Sequence, residues 1–234
     1  MSLFGKGYNE QAQAPTDMQK RTVDANIYEA TIKAAFAGQS KGGASSVTVE
    51  LLLSNGKTYK ETVYVTNRNG ENTYNSNGVI GYLPGFLLIN DLAVFATGKD
   101  LFDLESTIEE RIVKLYDSEV KKEVSKPVPM IMGLIDCKVL VAIDEIRENK
   151  TKADSSGKYV PTNESRTVNS LVKVFDLNSK HTAVELNEGK DATYHDSWLA
   201  DHFGKVNDKF KPVEASGNAS TVTAPTSSGM FGKK

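Results

Sequence analysis

The chain has 234 residues, 28 basic and 30 acidic side chains, and a formal net charge of -2. It is long enough for one large or two small domains with a substantial core. The balanced charge excludes a globally basic nucleic-acid binder, so any site for an anionic ligand must be a local patch.

The composition also bears on the compartment. The single cysteine, Cys137, cannot form an internal disulfide and is typical of a reducing environment. No apolar run reaches the roughly 18 residues that a membrane span requires, and residues 1–14 lack the apolar segment of a secretory signal. We therefore expect a soluble, cytoplasmic protein without membrane association.

The chain opens with a polar segment and then acquires strand periodicity. Residues 1–24 are mostly small and polar, which predicts a flexible arm. Residues 27–34 alternate between apolar and polar side chains and predict the first strand. The glycine-rich stretch 38–45 leads into another strand. Because such glycines bind phosphate convincingly only when a helix follows, a plain connection is favoured over a nucleotide-binding loop.

A hairpin follows. Residues 46–53 alternate as in a half-buried strand. Asn55-Gly56 predicts a type I′ turn with two positive-φ positions, and residues 58–66 form the return strand. One face of that strand is apolar, whereas the other bears Lys60 and Tyr64. A wet sheet face with Lys and Tyr side chains can neutralise phosphates and stack bases.

The remaining elements follow from spacing and composition. An Asn-rich stretch predicts an exposed loop, and helical spacing between a Pro and a Gly predicts a helix. Renewed alternation predicts three later strands, and a polar, charged segment predicts a long hairpin loop or a disordered tip. The exposed loop is residues 67–78, and the helix is residues 84–98. The three strands are 107–116, 138–145 and 167–175, and the polar, charged segment is 147–163. A further short element lies at 194–203.

Together these elements predict a mainly β fold. The expected architecture is an oligonucleotide-binding (OB)-like barrel of five or six strands, with one helix after the third strand and long inserted loops. This single domain covers residues 25–211. Residues 212–234 are too poor in apolar side chains to fold and predict a disordered tail. The lack of alternating strands and helices argues against a doubly wound α/β fold.

Catalytic motifs are lacking. The sequence has no phosphate-binding loop, nucleophile elbow or His-Glu-x-x-His pattern. His195 and His202 are seven residues apart, which is suggestive of a shared helix face but incomplete as a zinc site. The simpler interpretation is that Asp196 caps a helix and that both histidines are surface groups. We therefore predict a protein without catalytic activity, cofactor or bound metal.

The candidate ligand-binding residues are cationic and aromatic side chains in two sets. One belongs to the first meander and its following loop, and the other to the late hairpin. If the first and last strands of a barrel adjoin, the two sets line one groove. The acidic stretch of residues 91–119 predicts a side that repels nucleic acid. The predicted nucleic-acid-binding residues are Lys33, Lys57, Lys60, Tyr64, Arg68 and Tyr74, followed by Lys150, Lys152, Lys158, Tyr159, Arg166 and Lys173.

Four stretches resemble bacteriophage-encoded single-stranded DNA-binding proteins over roughly residues 25–205. The resemblance implies an OB-type barrel that coats single-stranded DNA in replication, recombination or repair, without catalysis, in the host cytoplasm. The stretches are Gly42-Gly43-Ala44-Ser45-Ser46-Val47-Thr48-Val49-Glu50, the strand Lys-Thr-Tyr-Lys-Glu-Thr-Val-Tyr-Val at 57–65, Leu83-Pro84-Gly85-Phe86, and Lys173-Val174-Phe175-Asp176.

The end of the chain departs from that family. Many of its members end in an acidic tail that recruits partners, whereas this chain ends Gly-Met-Phe-Gly-Lys-Lys. Either an aromatic-basic tip takes over partner docking, or the assignment is wrong. In the first case, the tip binds a replication or transcription protein through an apolar anchor and positive charge. The predicted docking residues are Met230, Phe231, Lys233 and Lys234.

Two other classes of function remain open. The first is a structural or assembly protein built on a β-barrel, and the second is a small hydrolase whose site the motifs do not reveal. Salt-dependent binding of an oligonucleotide separates these from a DNA-binding protein, because phosphate neutralisation releases counterions.

Overall fold

A computed structural model of the chain describes residues 22–117 and 120–213. Most of the predicted arm and tail, including Met230, Phe231, Lys233 and Lys234, therefore lies outside the described residues. At the start of the described part, Val23 is buried, and its backbone N–H and C=O both bond to the side-chain amide of Asn169 at 2.8 Å.

The described residues form ten strands and three α-helices, so the prediction of a mainly β chain is confirmed. The prediction of five or six strands is wrong. The strands are β1 (Asn26–Gln39), β2 (Ser45–Leu53), β3 (Thr58–Tyr64), β4 (Thr73–Ser76), β5 (Val79–Tyr82), β6 (Ile108–Asp117), β7 (Lys122–Ile131), β8 (Lys138–Ala153), β9 (Tyr159–Phe175) and β10 (Val206–Asp208). The helices are α1 (Pro84–Thr97), α2 (Ala183–Glu188) and α3 (Tyr194–His202), and 3-10 turns lie at Asp103–Thr107 and Met132–Leu134.

Strand β1 organises the main sheet. One of its edges pairs with β2, which pairs in turn with β3. The other edge pairs with β8 near its start and meets β7 at the pair Phe36–Met130 near its end. These contacts are antiparallel, as are the β6–β7 and β8–β9 hairpins, whereas β10 runs parallel to β8. Strands β4 and β5 form a separate ribbon.

Alternation along the strands places one apolar face in the core. Val47, Val49 and Leu51 of β2 are buried inside, as predicted, and meet the corresponding side chains of β1, β3, β8 and β9. A bulge between Ile32 and Ala34 shifts the register of β1 against β2. A bulge leaves one residue unpaired and bends the strand. This bend allows β1 to pair with β8 near its start and with β7 near its end.

The main sheet does not close into a barrel through backbone pairing. Among the described strands, no ladder joins β3 to β9. The predicted barrel is therefore not closed by backbone hydrogen bonds. Helix α1 packs against both strands. The side chain of Glu61 on β3 also joins them, because its Oε2 accepts hydrogen bonds from the Leu171 N–H of β9 at 2.7 Å and from the Tyr59 hydroxyl at 2.5 Å.

Two turns differ from expectation. Only Gly56 of the Asn55-Gly56 pair has positive φ, at 81°, and its N–H bonds to the carbonyl of Leu53. The type I′ prediction is therefore wrong, and the connection is a longer loop that ends on a left-handed glycine. Residues 147–163 form the outer part of a long β8–β9 hairpin instead of a loop or disordered tip, and their polar composition reflects exposure of both faces beyond the core.

Helices α2 and α3 are fastened by one carboxylate. Glu185 accepts hydrogen bonds from Thr182 in a capping box and from the backbone N–H groups of Thr193 and Tyr194. Burial opposes ionisation of this carboxyl, but these donors outweigh it and lower the pKa of Glu185 to about 2. Trp198 of α3 packs with Ala142 and Phe175, so α3 covers part of the side of β8 and β9 that points away from the main core.

Replacement of Glu61 by Ala tests whether this side chain holds β3 and β9 together. The buried Leu171 N–H and the Tyr59 hydroxyl lose their acceptor, so we expect a loss of about 2–4 kcal/mol in the free energy of unfolding, measured by urea denaturation. Glu61→Gln keeps one carbonyl acceptor and should lose less. The control Glu164→Ala removes only an exposed ion pair with Lys150 and should change stability by less than about 0.5 kcal/mol. Equal losses for Glu61→Ala and the control would show that Glu61 does not hold β3 and β9 together.

Gly85 provides a second test. In the first turn of α1, an added Cβ would overlap the carbonyl oxygen of Tyr64, so the helix lies directly against the end of β3. Although Ala favours helices, Gly85→Ala should destabilise the fold by about 1–3 kcal/mol through overpacking. At Gly42 an added Cβ comes no closer than 3.6 Å to Arg68, an ordinary contact. A thermal melt in which Gly85→Ala is as stable as Gly42→Ala would refute this packing.

Candidate nucleic-acid interface

The outer face of β2 and β3 carries a row of polar and aromatic side chains. Because the core takes the alternate positions, Lys60, Thr62 and Tyr64 of β3 project outward, and all three are exposed. Tyr64 has 53 % of its surface exposed. Thr62 lies opposite Thr48 of β2, and their hydroxyls are 2.8 Å apart. Cation, hydroxyl and aromatic ring thus follow one another at every second residue.

An apolar floor continues this row toward β7. Phe36 of β1 lies opposite Thr48 and clusters with Val128 and Met130 of β7. The Lys60 ammonium lies 5.6 Å from the centroid of the Phe36 ring. Val113 and Leu115 of β6 also pack against this cluster. We call the surface formed by Phe36, Thr48, Lys60, Thr62, Tyr64 and the facing side of the β6–β7 hairpin the outer face.

Carboxylates accompany the cations on and around the outer face. Lys60 lies 3.6 Å from Glu50, its cross-strand neighbour on β2. On the β6–β7 hairpin, Arg111 pairs with Glu109 at 2.6 Å, and Lys126 pairs with Asp117 at 2.7 Å. These ion pairs are partly or largely exposed, where such pairs contribute little stability. An incoming phosphate can therefore replace a carboxylate without a large cost to the fold.

The other predicted residues of the first meander do not join Lys60 and Tyr64. Lys33 lies at the β1 bulge and pairs with Asp136 at 2.7 Å. Lys57 lies in the β2–β3 turn, with its ammonium 3.5 Å from the carbonyl of Thr22. Arg68 lies beside Gly42 of the β1–β2 connection, and the ring of Tyr74 lies against Gly81 of β5.

The second predicted set lies on the late hairpin, and its members are dispersed along it. Lys150 and Arg166 pair with Glu164 and Glu148 at 3.0 and 2.8 Å. Lys173 lies near Asp91 of α1, where burial raises the pKa of Asp91 and the Lys173 charge opposes that rise. The three remaining residues, Lys152, Lys158 and Tyr159, are exposed near the hairpin tip.

The hairpin tip lies away from the outer face. Strand β8 pairs with the start of β1 through residues 138–143, and its later residues continue beyond Asn26. The first and last predicted strands are not paired among the described residues: β1 pairs with β8, and β9, which contains the last predicted strand, also pairs with β8. These pairings do not bring Lys152 and Lys158 into contact with Lys60.

Sequence reasoning missed three parts of the outer face: Phe36, the Thr48–Thr62 pair and the β7 floor. Strand β7 contains Pro127 and Pro129, which argue against a strand because proline cannot donate to a ladder. Phe36 lies beyond the predicted end of the first strand. The available signal was the alternation of Thr48 and Glu50 against Val47 and Val49, which assigns both polar residues to the outer side.

The histidines differ from the predicted surface groups. His195 is buried and bonds to Asp196 at 2.7 Å. His202 bonds to the buried Asp144 at 3.0 Å and stacks on Trp198 at 4.5 Å between ring centroids. The helix is not capped by Asp196, because its N-cap residue is Thr193. Within the described ranges, no group of three or more His, Cys, Asp or Glu side chains is arranged to hold a metal ion.

Comparison with known proteins gives no assignment: no protein-family model matches the chain, and no curated protein matches it. Among residues 22–117 and 120–213, no helix combines the length and the apolar character needed to cross a membrane.

Proposed function

We propose that the chain binds single-stranded DNA without sequence preference and without catalysis, in phage DNA replication, recombination or repair. The observation that supports this most is the outer face, where Lys60 and Tyr64 project from the same side of β3 with the Thr62 hydroxyl between them. Phosphates can pair with the ammonium, and bases can stack on the ring. Neither interaction depends on base identity, which is how such proteins bind single strands of any sequence.

The strand order supports the same proposal. Strands β3, β2, β1, β8 and β9 follow one another in the sheet, and α1 lies between the third and fourth of these strands in chain order. From this order we infer an OB-type sheet. In OB folds, the face of the second and third strands binds oligonucleotides together with the loops beside it. One such loop corresponds here to residues 40–44, whereas the β8–β9 tip with Lys152, Lys158 and Tyr159 lies away from the outer face.

A second candidate is a structural or assembly protein. It is favoured by apolar side chains at the surface of the two extra hairpins: Val79 and Ile80 at the β4–β5 turn and Ile112 on β6 are 70, 72 and 76 % exposed. Exposed apolar groups in such numbers are typical of interaction surfaces. Fluorescence titration with an oligonucleotide at several salt concentrations separates the two, because only phosphate binding weakens steeply with salt.

Joint replacement of Lys60 and Tyr64 by Ala is the direct test of the outer face. Since base–aromatic stacking contributes about 1–3 kcal/mol per base, the double variant should bind a fluorescent oligonucleotide at least about tenfold more weakly. The matched control is Lys114→Ala with Tyr116→Ala, which removes the same residue types from the opposite side of the β6–β7 hairpin. Unchanged affinity in a folded double variant, or an equal loss in the control, would exclude the outer face.

The variant Glu50→Gln should strengthen oligonucleotide binding instead of weakening it. The carboxylate of Glu50 lies 3.6 Å from the Lys60 ammonium and competes with a phosphate for it. Removing this negative charge should strengthen oligonucleotide binding several-fold at low salt and make the dependence of log K on log salt steeper. Glu164→Gln at the distant Lys150 pair serves as the control. Weaker binding by a folded Glu50→Gln protein would contradict the proposed role of Lys60.

A further inference from the structure

A pocket of about 540 Å³ opens at the end of the sheet where β1 finishes and β2 begins. It is bounded by Ala37, by the end of β3 and the loop after it, by α1, and by the 3-10 turn that precedes β6. Most of its lining is apolar. Its lining includes Val47, Val65, Phe86, Phe102, Glu71 and Glu105.

Aromatic rings and acids give the pocket its chemistry. Tyr82 stacks on Phe86 with 5.2 Å between the ring centroids, and the ring of Phe102 lies 5.6 Å from that of Phe86. Phe102 remains 58 % exposed. The lining includes the carboxylates of Glu71 and Glu105 and no basic side chain. Such a site repels phosphates and suits an aromatic or aliphatic side chain that is followed by positive charge.

The sequence contains a segment with this chemistry. Met230-Phe231-Gly232-Lys233-Lys234 places two apolar side chains before two lysines, and Leu3-Phe4-Gly5-Lys6 repeats the pattern near the other end of the chain. We propose that the pocket of one copy binds residues 230–234 of a second copy. Phe231 occupies the space beside Phe86 and Phe102, and the lysines pair with Glu71 and Glu105.

The position of the last described residues favours a second copy over the same chain. After β10, the chain runs parallel to β8, and the Asn163 side chain bonds to Val213 near the β8–β9 tip. This is the end of the sheet opposite Ala37 and the pocket. Residues 214–229 span at most about 55 Å when fully extended. That reach extends outward to a neighbour without strain, whereas the same chain would need nearly all of it to return along the length of β1 and β8.

The contact is heterologous, because the segment and the pocket are different surfaces at opposite ends. Heterologous contacts that do not close into a ring produce head-to-tail rows. Rows of this kind would align consecutive copies along a bound strand. The association itself does not depend on the proposed DNA binding and is measured here without DNA.

The first experiment titrates a fluorescent peptide of residues 229–234 into a variant that ends at Ser228. We expect saturable binding that weakens with salt, and at least about tenfold loss when the peptide carries Phe231→Ala. Phe102→Ser and Glu105→Lys should each weaken binding by a similar factor, and both side chains are exposed, so the fold should survive. The controls Phe203→Ser and Glu164→Lys change the same residue types away from the pocket and should bind normally. No binding, or equal binding by pocket and control variants, would overturn the proposal.

The second experiment measures the mass of the full chain by sedimentation velocity over a range of concentrations. Concentration-dependent association that is lost in the variant ending at Ser228 and in Glu105→Lys supports the intermolecular contact. A full chain that stays monomeric while excluding the peptide would instead show that its own segment occupies the pocket. Association that survives the truncation, or equal competition by a peptide of residues 1–6, would overturn the assignment to residues 230–234. Oligonucleotide binding by the same variants reports separately on the proposed function.

Discussion

The arrangement of the sheet depends on the carboxylate of Glu61. Backbone pairing joins the main strands in the order β9, β8, β1, β2, β3 and leaves the first and last of these unjoined. Glu61 reaches across from β3 to the backbone of β9 and also holds the hydroxyl of Tyr59. Burial, together with the charge and hydrogen bond of Glu61, raises the pKa of Tyr59, so this phenol stays a donor. A side chain thus connects two strands that have no backbone ladder between them.

Glu61 and helix α1 connect β3 to β9 on the core side of the sheet, so the outer face stays open. Helix α1 lies against β3 and β9 and inserts Ile89 and Leu92 into the core, and Gly85 allows its first turn to approach Tyr64. On the outside, α3 covers β8 and β9 through Trp198. Within the part of the chain that the structure describes, no helix lies over the outer side of β3. Lys60 and Tyr64 can therefore remain exposed while the opposite side of the same strand is fully packed.

Local patterns predicted the elements whose amphipathic period matches their packing. Strand β2 was found because Val47, Val49 and Leu51 recur at the spacing of one buried face, and helix α1 was found because Leu88, Leu92 and Phe95 recur at helical spacing. The distal half of β8 and β9 was missed because both of its faces are polar, and β7 was missed because of its prolines. For the site, the period of two predicted that Lys60 and Tyr64 share a face. The pairing of Lys60 with Glu50 depends on cross-strand register, and Phe36 depends on the β1 bulge, so neither could be predicted from local sequence.

The near-zero net charge conceals two surfaces of opposite character. Around the outer face each cation is held beside a carboxylate, so the surface binds an anion only by exchange of partners. At the end of β1, the apolar pocket bears acids without cations and excludes phosphate by charge. The pocket reaches β2 through Ser46 and Val47, which immediately precede Thr48 of the outer face. A ligand that fills the pocket therefore contacts the same strand that carries Thr48 and Glu50.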